Sequence, residues 1–578
     1  MEQNQALTPM RRFFKLLAAD RKDIIYIYIY AIFSGLITLT LPLGVQAIIG
    51  LIAGGSISVS LFVLIGAVTT ATLLAGILKI MQMSVTETIQ QRIFVRSAFD
   101  FSYRLPRLRL DSLTKYYPPE LVNRFFDTLT VQKGLPKILI DVTTAVLQIV
   151  FGLLLISFYH PFYVFFSFLL LLVLFALFRM TGQRGLSTSL KESKYKYEVA
   201  HWLEEQARAL TTFKLAGDSP FSLQRTDKLV GNYLTSRQAH FRILVGQFSI
   251  IVGFEVLVLA SLLALGSYLV LQNQINIGQF VAADIVIILV IGSVEKLIIS
   301  LETVYDVLTA LDKLGYVTDL PLEEHQGGIP FEHTRRNQPI ALQLENVSFG
   351  FPDSERPALD GINLQIQPGE SVCISGYSRS GKTTLLELLA GLFPYFKGSI
   401  TYNNVPLQHI ELDSLRRQIG ELLAEEHLFR GTILENITLG DPAISLEQVI
   451  ETTESIGIAG FIRQLPNGYN TPLLPEGKNL PRSIRLKIML ARALAARPGL
   501  LVVEDIFTAL EPADKQRIAG CLNATQRPWT LVTVSNDPVF AQSCQRVILL
   551  KDGKIIADGS FEAIQQSPHY QPIFRSDN

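Results

Sequence analysis

The sequence predicts a membrane protein in two parts: six transmembrane α-helices with helical cytoplasmic extensions, then a C-terminal α/β domain carrying a glycine-rich loop between a strand and a helix. Three observations predict it. Hydrophobic residues make up 49% of the 578 positions and charged ones only 18%, a balance foreign to a wholly soluble enzyme. Residues 24–78 and 142–178 contain no Asp, Glu, Lys or Arg. The run Gly376-Tyr377-Ser378-Arg379-Ser380-Gly381-Lys382-Thr383-Thr384 stands between a short apolar stretch and an apolar helix pattern.

The membrane elements follow in order. A bilayer core takes about 20 apolar residues per helix, so residues 24–78 hold two spans, with a bend at Ala53-Gly54-Gly55-Ser56. Residues 142–178 divide at His160-Pro161 into two more, and a last pair covers 243–271 and 277–299, separated by Gln272-Asn273-Gln274. The three short turns carry no Asp, Glu, Lys or Arg, whereas the opposite side carries Arg11, Arg12, Lys15, Arg92, Arg96, Arg104, Arg184 and Lys191, among others. The positive-inside rule therefore puts both termini and both long loops, 79–137 and 179–242, in the cytoplasm of a multi-pass inner (plasma) membrane protein. Both loops keep helical periodicity, as at Phe94, Phe101 and Leu105, and read as stalks closed by short cross-pieces near 113–117 and 217–221. The N-terminal segment has basic residues but no signal-peptide pattern, and reads as an amphipathic helix at the inner surface. Glu255 and Asp284 fall inside spans, where a carboxylate is costly and is a candidate substrate contact unless it lines a wet cavity or pairs with a neighbour.

The boundaries expected are a membrane domain over 1–316, a polar linker over 317–340 and a nucleotide-binding domain over 341–575. Net formal charge is zero, so no overall field favours nucleic acid as a partner. Cys373, Cys521 and Cys544 show no metal-ligand spacing and read as reduced, buried thiols.

The apolar run Ser371-Val372-Cys373-Ile374-Ser375 leads directly into G-x-x-x-x-G-K-[ST], the phosphate-loop pattern of an α/β P-loop NTPase, in the required strand–loop–helix context. Backbone N–H groups at the helix start cradle phosphates, Lys382 neutralises the β/γ charge and Thr383 holds Mg2+. ATP is thus the expected cofactor, and the cofactor-binding positions are Gly376, Ser378, Arg379, Ser380, Gly381, Lys382, Thr383 and Thr384.

With these motifs in place, the chain resembles the ABC exporter family over nearly its whole length, and most closely exporters of the haemolysin, bacteriocin and type I secretion kind. Supporting phrases are Leu41-Pro42-Leu43 and Ile277-Gly278-Gln279-Phe280-Val281-Ala282. No counterpart of the family's accessory peptidase-like domain is expected. The resemblance places Phe351 where an aromatic ring stacks on adenine. It also locates departures from the family's pattern. Ala424 replaces the magnesium- and water-sensing Gln, and Leu480-Pro481-Arg482-Ser483-Ile484 stands for LSGGQ. Glu504-Asp505 inverts the usual Asp-Glu, and Asn536 stands for the switch histidine. Glu504 remains the expected metal residue beside Thr383, and Asp505 and Asn536 are the substituted catalytic positions.

These departures have physical consequences. Asp505 is one methylene short, which withdraws it by roughly an ångström from an attacking water, an error that can cost about 10²-fold in rate. Asn536 carries no positive charge and shuttles no proton. Pro481 removes a hydroxyl and an N–H, and Arg482 adds bulk where glycine permits close approach. In the family two nucleotide domains pair head to tail, so one such chain impairs both composite sites. The expected function is an exporter subunit that couples ATP binding, with weak hydrolysis, to outward transport of a peptide, protein or lipid-like substrate. The expected partner is a second, competent half-transporter in a heterodimer, with membrane lipid around it and an adaptor-type membrane-fusion protein admitted by the resemblance. The alternative is a non-hydrolysing pseudo-ATPase subunit with a regulatory or scaffolding role.

Overall fold

The computed structural model describes residues 8–53, 59–113, 116–323, 328–331, 338–352, 354–423, 427–505, 510–524 and 527–574. The chain divides into two compact units, Met1–Leu108 with Lys115–Pro321, and Arg109–Thr114 with Leu322–Asn578.

The N-terminal half is helical: α1 Pro9–Ala19, α2 Arg21–Thr38, α3 Thr40–Ala53, α4 Val59–Arg104, α5 Leu110–Leu113, α6 Pro118–Asn123, α7 Asp127–Ser157, α8 Pro161–Arg208, α9 Leu210–Leu215, α10 Phe221–Leu271 and α11 Ile277–Thr318. Among the described residues, five helical stretches are long and apolar enough to cross a membrane: Arg21–Ala53, Val59–Arg107, Pro118–Ser157, Phe221–Leu271 and Ile277–Thr318. The remaining predicted span, the fourth in chain order, falls at the start of α8, where the shorter stretch Tyr163–Val173 is apolar. The side chains of residues 162, 166, 174, 177, 178, 180 and 181 in that region lie outside the described set. Phe62, Leu73, Phe165 and Leu257 are exposed on these helices, a distribution that lipid, not water, accommodates.

Local chemistry sets the breaks. Pro161 starts α8 and lacks the N–H that continuation from α7 would need. Asn273 takes a positive φ of 53° after α10, and Asn276 caps α11 in a reciprocal box with Gln279. The predicted bend after Ala53 coincides with the end of α3, and its residues 54–56 lie outside the described set. A further break, which periodicity did not signal, separates α2 from α3 at Leu39. Pro42 has no N–H for the Thr38 carbonyl, which frees the backbone to change course there.

The stalks end in short helices close to the expected cross-pieces but displaced toward the N-terminus. The first is α5, with residues 114–115 outside the described set. The second is α9, Leu210–Leu215, upstream of the expected 217–221. Gly217, with φ +65°, terminates that helix and does not form it. Helix α1 is anchored to the end of α11 by Arg12, whose guanidinium donates to the Asp319 carboxylate at 2.9 Å. Small residues let helices approach in the membrane unit. A Cβ on Gly134 would lie 2.3 Å from Val307 Cγ2, and one on Gly152 would lie 2.7 Å from Val290 Cγ2, so α7 packs closely on α11.

The second unit is α/β. Its strands are β1 Leu342–Phe349, β2 Leu359–Ile366, β3 Ser371–Gly376, β4 Lys397–Tyr402, β5 Val405–Pro406, β6 Ile419–Leu422, β7 Gly431–Thr432, β8 Pro472–Leu473, β9 Leu500–Glu504, β10 Thr530–Val534, β11 Arg546–Lys551 and β12 Lys554–Gly559. An antiparallel sheet runs β2-β1-β4-β5, the main sheet runs β12-β11-β3-β10-β9-β6, and β7 pairs with β8. In the main sheet β6, β9, β10, β3 and β11 are mutually parallel where paired. Alternate side chains divide between two cores: Cys373, Leu501 and Val503 enter one, Val372, Ile374 and Val502 the other. Strands buried on both faces read as continuous apolar runs, as these do. Cys373 and Cys544 are buried and Cys521 is half-buried, all as free thiols.

Candidate functional site

The parallel register assembles the site. Ile374 of β3 lies beside Val534 of β10, and Val534 lies beside Glu504 of β9. The chain therefore leaves the C-terminal ends of three neighbouring strands with Gly376, Asn536 and Glu504-Asp505 at one edge, where α/β sheets bind ligands.

Out of β3 comes the glycine-rich loop, then the helix Lys382–Leu389. Gly381 begins that helix at φ +93°, and a Cβ there would lie 2.4 Å from the Ala358 carbonyl oxygen. Only glycine satisfies both conditions. The Lys382 ammonium donates to the carbonyls of Gly376 at 3.0 Å and Tyr377 at 2.7 Å, with the Ser380 hydroxyl at 3.4 Å. Burial lowers the Lys382 pKa, opposed by the nearby carboxylates of Glu504 and Asp505. Ala358 and residues 379–384 line a cleft of ≈ 210 Å³. Ser378 and Arg379 are exposed, whereas Ser380 and Thr384 are buried.

Two pairings join residues distant in sequence. The Thr383 hydroxyl donates to the Glu504 carboxylate. The Asn536 side-chain oxygen accepts from the Gly376 N–H at 3.1 Å, and its amide donates to the Gly376 carbonyl at 3.1 Å. The candidate catalytic Asn536 is thus tied to the base of the loop. Asp505 is exposed beside Glu504. Phe351 lies at the end of the antiparallel sheet, edge-on to Phe349 at 5.1 Å and to Phe393 at 5.7 Å, which fixes its ring. Ala424 lies outside the described residues.

Pro481 occupies the N-cap of the helix Arg482–Ala495, and no side chain caps that end. Arg482 is exposed. Sequence reading missed how this helix is anchored: buried Lys487 pairs with Asp514 at 2.6 Å. A lysine on the apolar side of Ile488, Leu490 and Ala491 was the available signal. In the membrane unit, Glu255 is half-buried, and Asp284 has Oδ1 sheltered from solvent with no hydrogen-bond partner among the described residues.

The residues present suit the groups expected. A backbone cradle with a lysine across it is a phosphate holder. A hydroxyl and a carboxylate in contact are hard oxygen donors of the kind a small divalent cation shares with phosphate.

Comparison with known proteins matches both parts of the chain. The family model described as ABC transporter matches residues 359–507, and that described as ABC transporter transmembrane region matches 24–294. The alpha-hemolysin translocation ATP-binding protein HlyB of Escherichia coli O157:H7 is 30% identical over 365 residues, covering 63% of this chain and 51% of that protein. The leukotoxin translocation ATP-binding protein LktB of Mannheimia haemolytica is 28% identical over 371 residues, with 63% and 51% covered. The chain spans about half the length of these relatives. The structure of a bacterial Atm1-family ABC exporter with ATP bound matches at a TM-score of 0.84 and 20% identity, covering 96% of this chain and 98% of that one, a likeness of fold. The protein is a multi-pass membrane protein whose ATP-binding domain is cytoplasmic. With both halves of the architecture matched in a single polypeptide, the chain belongs to the ABC transporter family, as a half-transporter of the exporter type.

Proposed function

We propose that this chain binds ATP with magnesium and, as one half of a paired transporter, couples that binding to outward movement of a peptide, protein or lipid-like substrate with little hydrolysis of its own. The observation that carries the proposal is a contrast within one site. The holding parts are in place: Lys382 lies across the loop and Thr383 meets Glu504. The firing parts are not. Asn536, at the position of the switch histidine, ties both ends of its amide to Gly376, and Asp505 is too short to seat a water as glutamate would. Magnesium, when bound, supplies charge neutralisation between the phosphates, with Thr383 and Glu504 as its protein contacts. Phe351 supplies the stacking face for the base. Outward movement and a proteinaceous substrate are supported by the translocation roles named for the relatives. A heterodimer is favoured because a homodimer repeats the same losses in both composite sites. An adaptor-type membrane-fusion protein is a further partner by the same likeness.

The second reading is a non-hydrolysing regulatory subunit. It is favoured by the helix at Pro481, which begins without a capping hydroxyl and has lost an N–H for a γ-phosphate across the dimer. One assay separates the readings: ATPase turnover of the purified chain and of its Lys382→Ala variant, each alone and with a competent half-transporter. Alone, both are expected at background while only the unsubstituted chain binds ATP. Turnover above the variant in the presence of the partner favours the transporter; none in either condition favours the regulatory subunit. A kcat on the order of 1 s⁻¹ or more from the chain alone, within the ordinary enzyme range, would falsify the loss of the firing parts.

A further inference from the structure

Arg379 is one of the expected nucleotide-binding positions to which the proposed function gives no particular role. It stands in the middle of the phosphate loop at φ +62°, a left-handed conformation that glycine adopts freely and arginine does not. It lines the same cleft as Lys382, Thr383 and Thr384. It is exposed, and among the described residues no carboxylate pairs with its guanidinium. A guanidinium is permanently charged and presents a planar fork that matches phosphate oxygens. Against the family's pattern, the sequence also offers a divalent cation one donor fewer. Ala424 stands where the family's pattern has a metal-contacting glutamine, and Thr383 and Glu504 are the oxygen donors seen to converge. A nucleoside triphosphate is strongly anionic and is ordinarily held together with a divalent cation that neutralises part of that charge.

We propose that Arg379 shares the cation's charge-neutralising role, so that this site retains ATP when magnesium is withdrawn. The proposal rests on the nucleotide-binding reading above and assigns to one side chain a property of that binding. Occupancy would then depend little on whether ATP arrives free or as its magnesium complex.

The test is equilibrium binding of methylanthraniloyl-ATP to the full chain in nanodiscs, in magnesium and in EDTA. It compares the unsubstituted protein with Arg379→Gly, Arg379→Lys and Lys382→Ala. Glycine suits the φ at this position, so Arg379→Gly is expected to fold, and Arg379→Lys keeps the charge without the fork. In the unsubstituted chain, replacing magnesium by EDTA is expected to raise Kd by less than about tenfold, whereas in Arg379→Gly the same change raises it by at least about a further tenfold, the scale of one charge-assisted hydrogen bond. Arg379→Lys is expected between the two. Equal sensitivity to EDTA in the unsubstituted chain and Arg379→Gly overturns the proposal, as does equal weakening of Arg379→Gly in both media. Binding in magnesium that is abolished in EDTA for the unsubstituted chain overturns the proposal and leaves the nucleotide-binding reading standing. Absence of binding in magnesium as well ends both.

Discussion

Gly381 and Arg379, two residues apart, hold the phosphate loop at φ values of +93° and +62°. For a residue with a Cβ this region costs about 1–2 kcal/mol, so the loop tolerates the cost at Arg379. It has no such room at Gly381, where a Cβ meets the Ala358 carbonyl oxygen at 2.4 Å and the backbone itself must move. Gly381→Ala is therefore expected to weaken ATP binding by more than about tenfold, as an unmade charge-assisted contact would, with little change in the circular dichroism of the membrane helices. Retained affinity would show that the loop relaxes more easily than its geometry implies. The loop residues were legible in the sequence because their spacing is local and each contributes mainly backbone. Spacing alone did not bring Glu504 to Thr383, which the resemblance implied, and nothing signalled Asn536 at Gly376, because both reach their partners only through the parallel register of β3, β10 and β9. For Asn536 the sequence offered a substituted position that carries no charge and shuttles no proton; the geometry gives it a brace on Gly376.

At the scale of elements, the long apolar runs and the charge-free turns were sufficient for five of the six spans, since lipid leaves few alternatives to a helix. What periodicity did not reveal is where those helices touch. Helix α7 meets α11 through Gly134 and Gly152, and on α11 the neighbours are Val307, Val290 and Val286, whose β-branched side chains cannot swing aside. Overpacking of such a contact costs about 1–3 kcal/mol. Gly152→Leu is therefore expected to lower the thermal stability of the detergent-purified protein. Gly246→Leu on α10, where a new Cβ would meet nothing within 4 Å, is expected to leave it unchanged. Comparable losses from both would show that helix α7 does not depend on close approach. The displaced cross-piece has a similar lesson: Gly217 was read as part of the element, and it is the stop after α9.

At the scale of the whole molecule, the proposed head-to-tail pairing makes hydrolysis a property of two chains. Each composite site would take its phosphate loop, Glu504-Asp505 and Asn536 from one chain and the helix start at Pro481 from the other. Restoring one group in every chain then leaves each site with the other defect, and groups that act as a unit do not give back activity in proportion to the number repaired. Two variants exploit this. One carries Ala424→Gln, Glu504→Asp, Asp505→Glu and Asn536→His; the other carries Pro481→Ser, Arg482→Gly, Ser483→Gly and Ile484→Gln. Each alone is expected to remain near background ATPase. When they are co-reconstituted, a mixed pair contains one fully repaired site, and turnover is expected to exceed either parent by about 100-fold or more, the scale of a restored catalytic geometry. Activity should rise with the fraction of mixed pairs, read by differential affinity tags, and should vanish on adding Lys382→Ala to the first variant but not to the second. Turnover restored by either set alone, or a mixture no faster than its parents, would show that the repaired groups do not meet across a dimer.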